Sequence, residues 1–181
     1  KRQVLWSLSS GEQIGTLGPA SGRDTRGLAM SAGRLVSAAW KDDSHRVRLW
    51  DTERKVALAV FEGHTDSVRC VALGEAVAAS ASADRTVRVW PVDGRTERLA
   101  TLTHPAWVLS VSVSGETLAS GCDDGKVRTF SLATFACTRT LEHGGSVYGL
   151  WLRGNVLAST NALGSEKVLK VWQLSDGGGE C

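Results

Sequence analysis

The chain has 181 residues, with 21 Lys and Arg against 19 Asp and Glu, so its formal net charge of +2 projects no strong field toward phosphate backbones or anionic membranes. An apolar share of 42% is ordinary for a domain that buries one sizeable core, and no apolar run reaches the roughly 20 residues that span a bilayer. Nucleic acid and membrane are therefore set aside as partners. With no charged-then-apolar leader at the start, the protein is expected in the cytoplasm or nucleus.

In chain order, residues 1–17 open in the middle of a pattern: Val4-Leu5-Trp6 reads as the end of a third strand and Glu12 to Leu17 as a fourth strand. A turn at Gly18 to Gly22 leads into a first repeat, 18–61, which runs through Leu28, Leu35 and Val47 to Trp50-Asp51 and an outer strand near Lys55 to Phe61. The second repeat, 62–102, is the fullest: a turn at Gly63-His64, a strand begun by Val68, Val71 and Leu73, a second over Ala76 to Ser82, a third from Val87 to Trp90 and an outer strand near Glu97 to Leu102. Short strands between tight turns read as an antiparallel meander. The third repeat, 103–141, carries Trp107 before its first strand, Asp123-Asp124-Gly125 in its second turn and an outer strand near Ala136 to Leu141. A fourth, 142–174, stops after its third strand, and the Gly-rich tail 175–181 reads as a flexible end.

Aligned on Ser37, Ser80, Ser120 and Ser159, the copies superimpose without a gap upstream. Nine residues before lie Leu28, Val71, Val111 and Leu150, and seven before lie Met30, Leu73, Val113 and Leu152, all apolar. Eleven before lie Arg26, Arg69, Leu109 and Tyr148; sixteen before lie Ser21, His64, His104 and His143. The third strands close on Trp50, Trp90, Phe130 and Trp172. Self-similarity at about 40 residues marks propeller blades.

This arrangement resembles the WD-repeat β-propeller family, whose blades combine a Gly-His turn, an Asp in a later turn and a Trp closing the third strand. Trp50-Asp51 keeps the naming dipeptide, while Thr103-His104, Phe130, Glu142-His143 and Ser21 depart from the pattern. The resemblance implies an all-β fold of about four four-stranded blades. Such rings usually close with about seven, within a general range of four to eight, so the chain reads as the C-terminal part of a larger propeller. The alternative is a small closed ring with Glu12 to Leu17 completing blade four. Short turns between first and second strands, as in Leu73-Gly74-Glu75-Ala76, together with Ser67-Val68-Arg69-Cys70, are most like the propellers of F-box/WD-repeat proteins, the substrate receptors of cullin-RING ubiquitin ligases.

His64, Ser80 and Asp84 offer a base, a nucleophile and a carboxylate within one repeat. The resemblance implies instead a structural network of Asp, His, Ser and the closing Trp in each blade: His64, Ser80, Asp84 and Trp90; His104, Ser120 and Asp124; His143, Ser159 and Trp172; and Trp50. Recurrence argues for architecture, since a catalytic site is needed once, so no enzyme activity is expected. The three His lie on separate blades and cannot share a metal ion. Gly177-Gly178-Gly179 lacks the Lys-Ser/Thr of a phosphate-cradling loop, and no cofactor is expected. Cys70, Cys122, Cys137 and Cys181 have no ligand spacing and read as free thiols in a reducing compartment. Arg48, Arg88, Arg128 and Lys170, two positions before each closing aromatic, read as stems along apolar surface with their charges in water.

Two features point to binding. The second turns of blades one and four, Lys41 to His45 and Asn161 to Glu166, are lengthened: Ser37 to Trp50 and Ser159 to Trp172 each span 13 residues, against 10 from Ser80 to Trp90. Insertions on one face of a repeat protein often mark its working face. Arg26 and Arg69, at one position of neighbouring innermost strands, should converge at the channel mouth, where F-box/WD receptors can carry arginines that bind phosphorylated degrons. Leu109, Tyr148 and Trp107 complete the expected peptide-binding set. The expected function is a non-catalytic protein-binding module for phosphorylated or acidic peptides, with ubiquitin-ligase subunits as further partners through a region before Lys1; the alternative is a general scaffold.

Overall fold

A computed structural model describes residues 3–17, 25–39, 45–161 and 167–174, and every helix or strand element among them is a β-strand. Among these residues no helix is long and apolar enough to cross a membrane. The first two strands, β1 (Gln3–Trp6) and β2 (Gln13–Leu17), form a hairpin of their own. Blade one contains β3 (Thr25–Ser31), β4 (Arg34–Ala39), β5 (Val47–Asp51) and β6 (Val56–Phe61). Blade two contains β7 (Val68–Leu73), β8 (Val77–Ser82), β9 (Thr86–Pro91) and β10 (Ala100–Thr103). Blade three contains β11 (Val108–Ser114), β12 (Thr117–Cys122), β13 (Lys126–Ser131) and β14 (Cys137–Glu142). Blade four is three-stranded: β15 (Val147–Arg153), β16 (Val156–Asn161) and β17 (Leu169–Gln173).

Each blade is an antiparallel meander in chain order. Thr103 and Glu142, taken from the sequence as the first residues of blades three and four, instead end the outer strands of blades two and three. Strand β2 pairs with β1 and not with β17, so the small ring closed by Glu12 to Leu17 is not formed. Turns are as tight as the composition asks. Between β3 and β4, Ala32 (φ 45) and Gly33 (φ 74) are both left-handed and close a two-residue hairpin, the turn whose twist matches the flanking strands.

The second strands explain how the blades stack. In β8 every residue from Val77 to Ser82 is buried, because both faces of this strand are covered by neighbouring blades. Sheets packed face to face sit about 10 Å apart, and the run Ala78, Ala79, Ser80, Ala81 supplies the small side chains that this requires. Three apolar clusters hold the series together. Val36, Leu49 and Phe61 pack on Val71 and Trp90, with the Phe61 and Trp90 rings stacked at 4.9 Å. Val87, Val89 and Leu102 pack on Val111, Leu118 and Phe130. Ala119 and Val127 pack on Leu152, Leu157 and Trp172. The hairpin lays Leu5 and Leu17 on Leu35 and Trp50 of blade one, as though it were the outer half of a preceding blade.

Cys70 and Cys122 are free, and burial raises both thiol pKa values. Cys137 departs from the expected free thiol: it is disulfide-bonded.

Candidate functional site

The first strand of every blade carries a register shift at the same place. Thr25 pairs with Ala39 and Gly27 with Ala38; Val68 pairs with Ser82 and Cys70 with Ala81. Val108 pairs with Cys122 and Ser110 with Gly121; Val147 pairs with Asn161 and Gly149 with Thr160. The residues passed over are Arg26, Arg69, Leu109 and Tyr148, the row that the repeat alignment singles out. A bulge adds an unpaired residue and re-aims its side chain.

These four side chains do not all face solvent. Arg26 and Tyr148 are exposed and Arg69 is half-buried, whereas Leu109 is only 8% exposed. Expected as an apolar neighbour for a peptide, Leu109 is part of the core wall, where its side chain is removed from water. Trp107, 47% exposed, lies two residues earlier. The Arg69 guanidinium sits 5.2 Å from the centroid of the Trp107 ring, a cation–π contact across the boundary between blades two and three. Arg69 makes no ion pair among the described residues, and its Nε is buried without a hydrogen-bond partner. Asp66, three residues earlier, accepts the Ser67 amide at 2.5 Å. Sequence reasoning missed the Arg69–Trp107 pair, because in the alignment Trp107 stands level with Ser67, two positions before the row of Arg69 and Leu109.

Beneath this rim lie the polar relays. In blade two, Trp90 Nε1–H donates to Ser80 Oγ at 2.9 Å, the Ser80 hydroxyl donates to His64 Nε2 at 2.8 Å, and His64 Nδ1–H donates to Asp84 at 2.7 Å. The tautomer follows from the carboxylate, which can only accept. Asp84 also accepts from the Thr65 and Thr86 amides and the Thr86 hydroxyl. Burial alone would raise its pKa; the hydrogen bonds from His64 and Thr86 outweigh that and hold the carboxyl well below the usual range. The geometry matches a Ser-His-Asp triad, but Ser80 has no exposed surface and its oxygen already accepts the indole N–H. The hydroxyl has no path to a substrate, and the relay ties the turns of the blade to its middle strands.

The other blades use edited versions. Trp50 Nε1–H donates to Ser37 Oγ at 2.9 Å. In blade three His104 Nε2 accepts from Ser120 at 2.8 Å, but its Nδ1–H donates to the Leu102 carbonyl at 3.1 Å. Asp124, expected to complete that set, is held by Arg128 at 2.8 and 3.2 Å, because the guanidinium fork competes for the same carboxylate. Burial pushes the His104 pKa down to about 4, with the Arg128 charge adding to it against the Leu102 carbonyl. In blade four Trp172 Nε1–H donates to Ser159 Oγ, and His143 meets Ser159 through Nδ1, each at 2.9 Å. The second turn of this blade, Asn161 to Glu166, carries no Asp, and His143 Nε2 is buried without a partner among the described residues. Burial, aided by the Lys170 charge, lowers the His143 pKa.

The basic row is more engaged than its expected solvation. Besides the Arg128–Asp124 fork, Lys170 Nζ donates to the Glu142 carbonyl at 3.0 Å and stands 5.6 Å from the Trp172 ring centroid. Most of each lengthened second turn, 41–44 and 162–166, lies outside the described residues, as do the turn 18–24 and the tail 175–181.

A protein-family model, "WD domain, G-beta repeat", matches residues 55–91 and 96–131. Among curated proteins, the chain is 34% identical over 154 residues to "Mitochondrial division protein 1" of Neosartorya fischeri, covering 80% of this chain and 21% of that protein. It is 29% identical over 113 residues to "F-box/WD repeat-containing protein 10" of Homo sapiens, covering 60% of this chain and 11% of that protein. The chain thus spans about a tenth to a fifth of the length of these relatives. Among solved structures, the computationally designed Ika4 protein superposes with a TM-score of 0.76 at 24% identity, covering 88% of this chain and 96% of that one. The designed Ika8 protein gives 0.78 at 23% identity, covering 95% and 52%. At such identities the likeness speaks for the fold alone.

Proposed function

As a member of the WD-repeat β-propeller family, this chain is, we propose, a protein-binding module whose inner rim captures an acidic or phosphorylated peptide. The observation that carries this reading is the Arg69 guanidinium, placed by a bulge, steadied by the exposed Trp107 ring and left without a carboxylate partner among the described residues. Arg26 occupies the same bulge position one blade away. A planar guanidinium holds phosphate through paired, charge-assisted hydrogen bonds, and a phosphate brings roughly −1.5 to −2 charge at neutral pH. Tyr148 offers an aromatic face farther along the rim.

The test is a phosphopeptide library, with unmodified and Glu-substituted counterparts, screened against the full-length protein and its Arg69→Ala and Trp107→Ala variants. Loss of a hydrogen-bonded charge partner costs about 2–5 kcal/mol when desolvated. For the half-buried Arg69 the lower figure applies, roughly a 30-fold weakening. Arg69→Lys should restore only part, since a point charge keeps the attraction without the planar fork. If Arg69→Ala leaves every partner bound as tightly as before, the reading falls.

A role as substrate receptor of a ubiquitin ligase rests on the likeness to the F-box/WD repeat relatives. A second reading, a scaffold for multiprotein assembly with no ubiquitin link, is favoured by the relatives called "Mitochondrial division protein 1". Affinity purification of the full-length protein separates them: cullin-RING subunits among the co-purified proteins support the first, and their absence supports the second.

A further inference from the structure

The seam between blades one and two holds a cavity on the side away from the rim. In an up-and-down meander, the turns from first to second and from third to fourth strand lie at the opposite end of the blade from the turns that hold His64 and Asp84. At that end the third-to-fourth connection of blade two covers 92–99, against 52–55 in blade one and 132–136 in blade three. The longer connection leans toward blade one. Val92 is buried in the cluster that holds Val36 and Ala59, and a Cβ on Gly94 (φ 96) would stand 3.9 Å from the Leu58 carbonyl oxygen. Insertions in repeat proteins often carry the binding surface.

The cavity beside this connection measures about 480 Å³, within the range of about 300–1,000 Å³ that small-molecule sites occupy. Val77 and Val92, both buried, give it an apolar lining together with Leu99, which is 42% exposed. Its two arginines are unequally engaged. Arg95 is taken by Asp93, which accepts its Nε–H at 2.8 Å and its amide at 3.0 Å. The Arg34 side chain makes no hydrogen bond or ion pair among the described residues, and its Nη1 is buried without a partner. A guanidinium partly withdrawn from water and matched by no carboxylate is costly to hold, and a bound anion relieves that cost.

We propose that this cavity is a second binding site and that it takes a singly charged carboxylate on an apolar body. Arg34 holds the carboxylate, and Val77, Val92 and Leu99 receive the body. The planar fork of the guanidinium matches a carboxylate through paired hydrogen bonds. Glu75, exposed on the same wall, limits the charge, because a second carboxylate or a phosphate dianion would face it. A free aryl-alkanoic acid and the apolar last residue of a peptide offer the same chemistry, so the test has an arm for each. The inference is independent of the peptide reading of the rim.

Isothermal titration calorimetry on the full-length protein tests it with phenylbutyrate, phenylbutyramide, phenylsuccinate and a peptide ending in phenylalanine, its terminus free or amidated. Phenylbutyrate or the free-terminus peptide should bind, and the amides and the diacid should bind more weakly. Arg34→Gln, which keeps much of the stem and removes the charge, should weaken binding roughly tenfold or more, as loss of a hydrogen bond between charged groups does. Arg69→Ala, on the rim, should leave it unchanged. Circular dichroism checks folding; if Arg34→Gln loses its β-sheet signal, Leu99→Asp brings a negative charge to the same cavity and takes its place, with the same weakening expected. Binding of the small acid assigns a free ligand, and binding of the peptide alone assigns a partner's C-terminus; either supports the site. No binding by either acid, an amide or diacid that binds as tightly as the monoacid, or indifference to the cavity substitution overturns it.

Discussion

Replacing Ser80 by Ala removes one hydroxyl and leaves two partners unpaired. Ser80 Oγ accepts the Trp90 indole N–H at 2.9 Å and donates to His64 Nε2 at 2.8 Å, and all three side chains are buried. Each buried polar group left unsatisfied costs about 1–3 kcal/mol, so Ser80→Ala should cost about 2–6 kcal/mol, a large share of the 5–15 kcal/mol typical of a folded domain. Blade one supplies the control. Ser37 serves the Trp50 indole at 2.9 Å in a blade whose alignment position for His is Ser21, so among the described residues Ser37→Ala strands a single N–H and should cost about 1–3 kcal/mol. Urea unfolding followed by tryptophan fluorescence and circular dichroism gives both numbers on the same scale. If Ser80→Ala costs no more than Ser37→Ala, the relay contributes no more than its indole bond, and the argument from paired orphans is wrong.

Acid should loosen blade three. The His104 pKa is pushed down to about 4 in the folded state, below the unfolded value of roughly 6.5; the neutral ring is therefore the stabilising form, and that stability is present above pH 6.5 and lost as pH falls through 4. Unfolding free energy should drop by about 3 kcal/mol across this window, and His104→Gln should flatten the profile. Gly121→Val should weaken the seam between blades three and four by about 1–3 kcal/mol through overpacking, because even a Cβ at Gly121 would meet the Ser110 hydroxyl and lie 2.6 Å from Val147 Cγ1; denaturant unfolding measures it.

The blade plan was readable because it rests on short-range regularities: apolar residues two apart, small residues in second strands and a closing aromatic, repeated at one period. Those rows survive substitution as long as size and polarity are kept, so four imperfect copies still align. Side-chain competition was not readable. Asp124 has the spacing of a relay carboxylate, yet Arg128 takes it; His143 has the spacing of a relay histidine, yet binds Ser159 through its other nitrogen. Both outcomes depend on which donor lies nearest in space, and period alone does not encode that. Leu109 misled for a related reason, since a shared alignment position fixes where a backbone atom goes and leaves open whether an apolar side chain turns toward solvent or wall.

The shifted register at the head of each innermost strand separates two kinds of inheritance. Residues inside the ladder answer to the alternation of faces, and a change at Val71 or Val111 is felt by the next blade. The bulged residue answers to neither the ladder nor the alternation, so where its side chain reaches solvent, as at Arg26 and Tyr148, it can be exchanged like a letter of type in a fixed frame. Four successive blades here set Arg, Arg, Leu and Tyr in that slot, and a lineage of such propellers can rewrite its message there without recasting the metal.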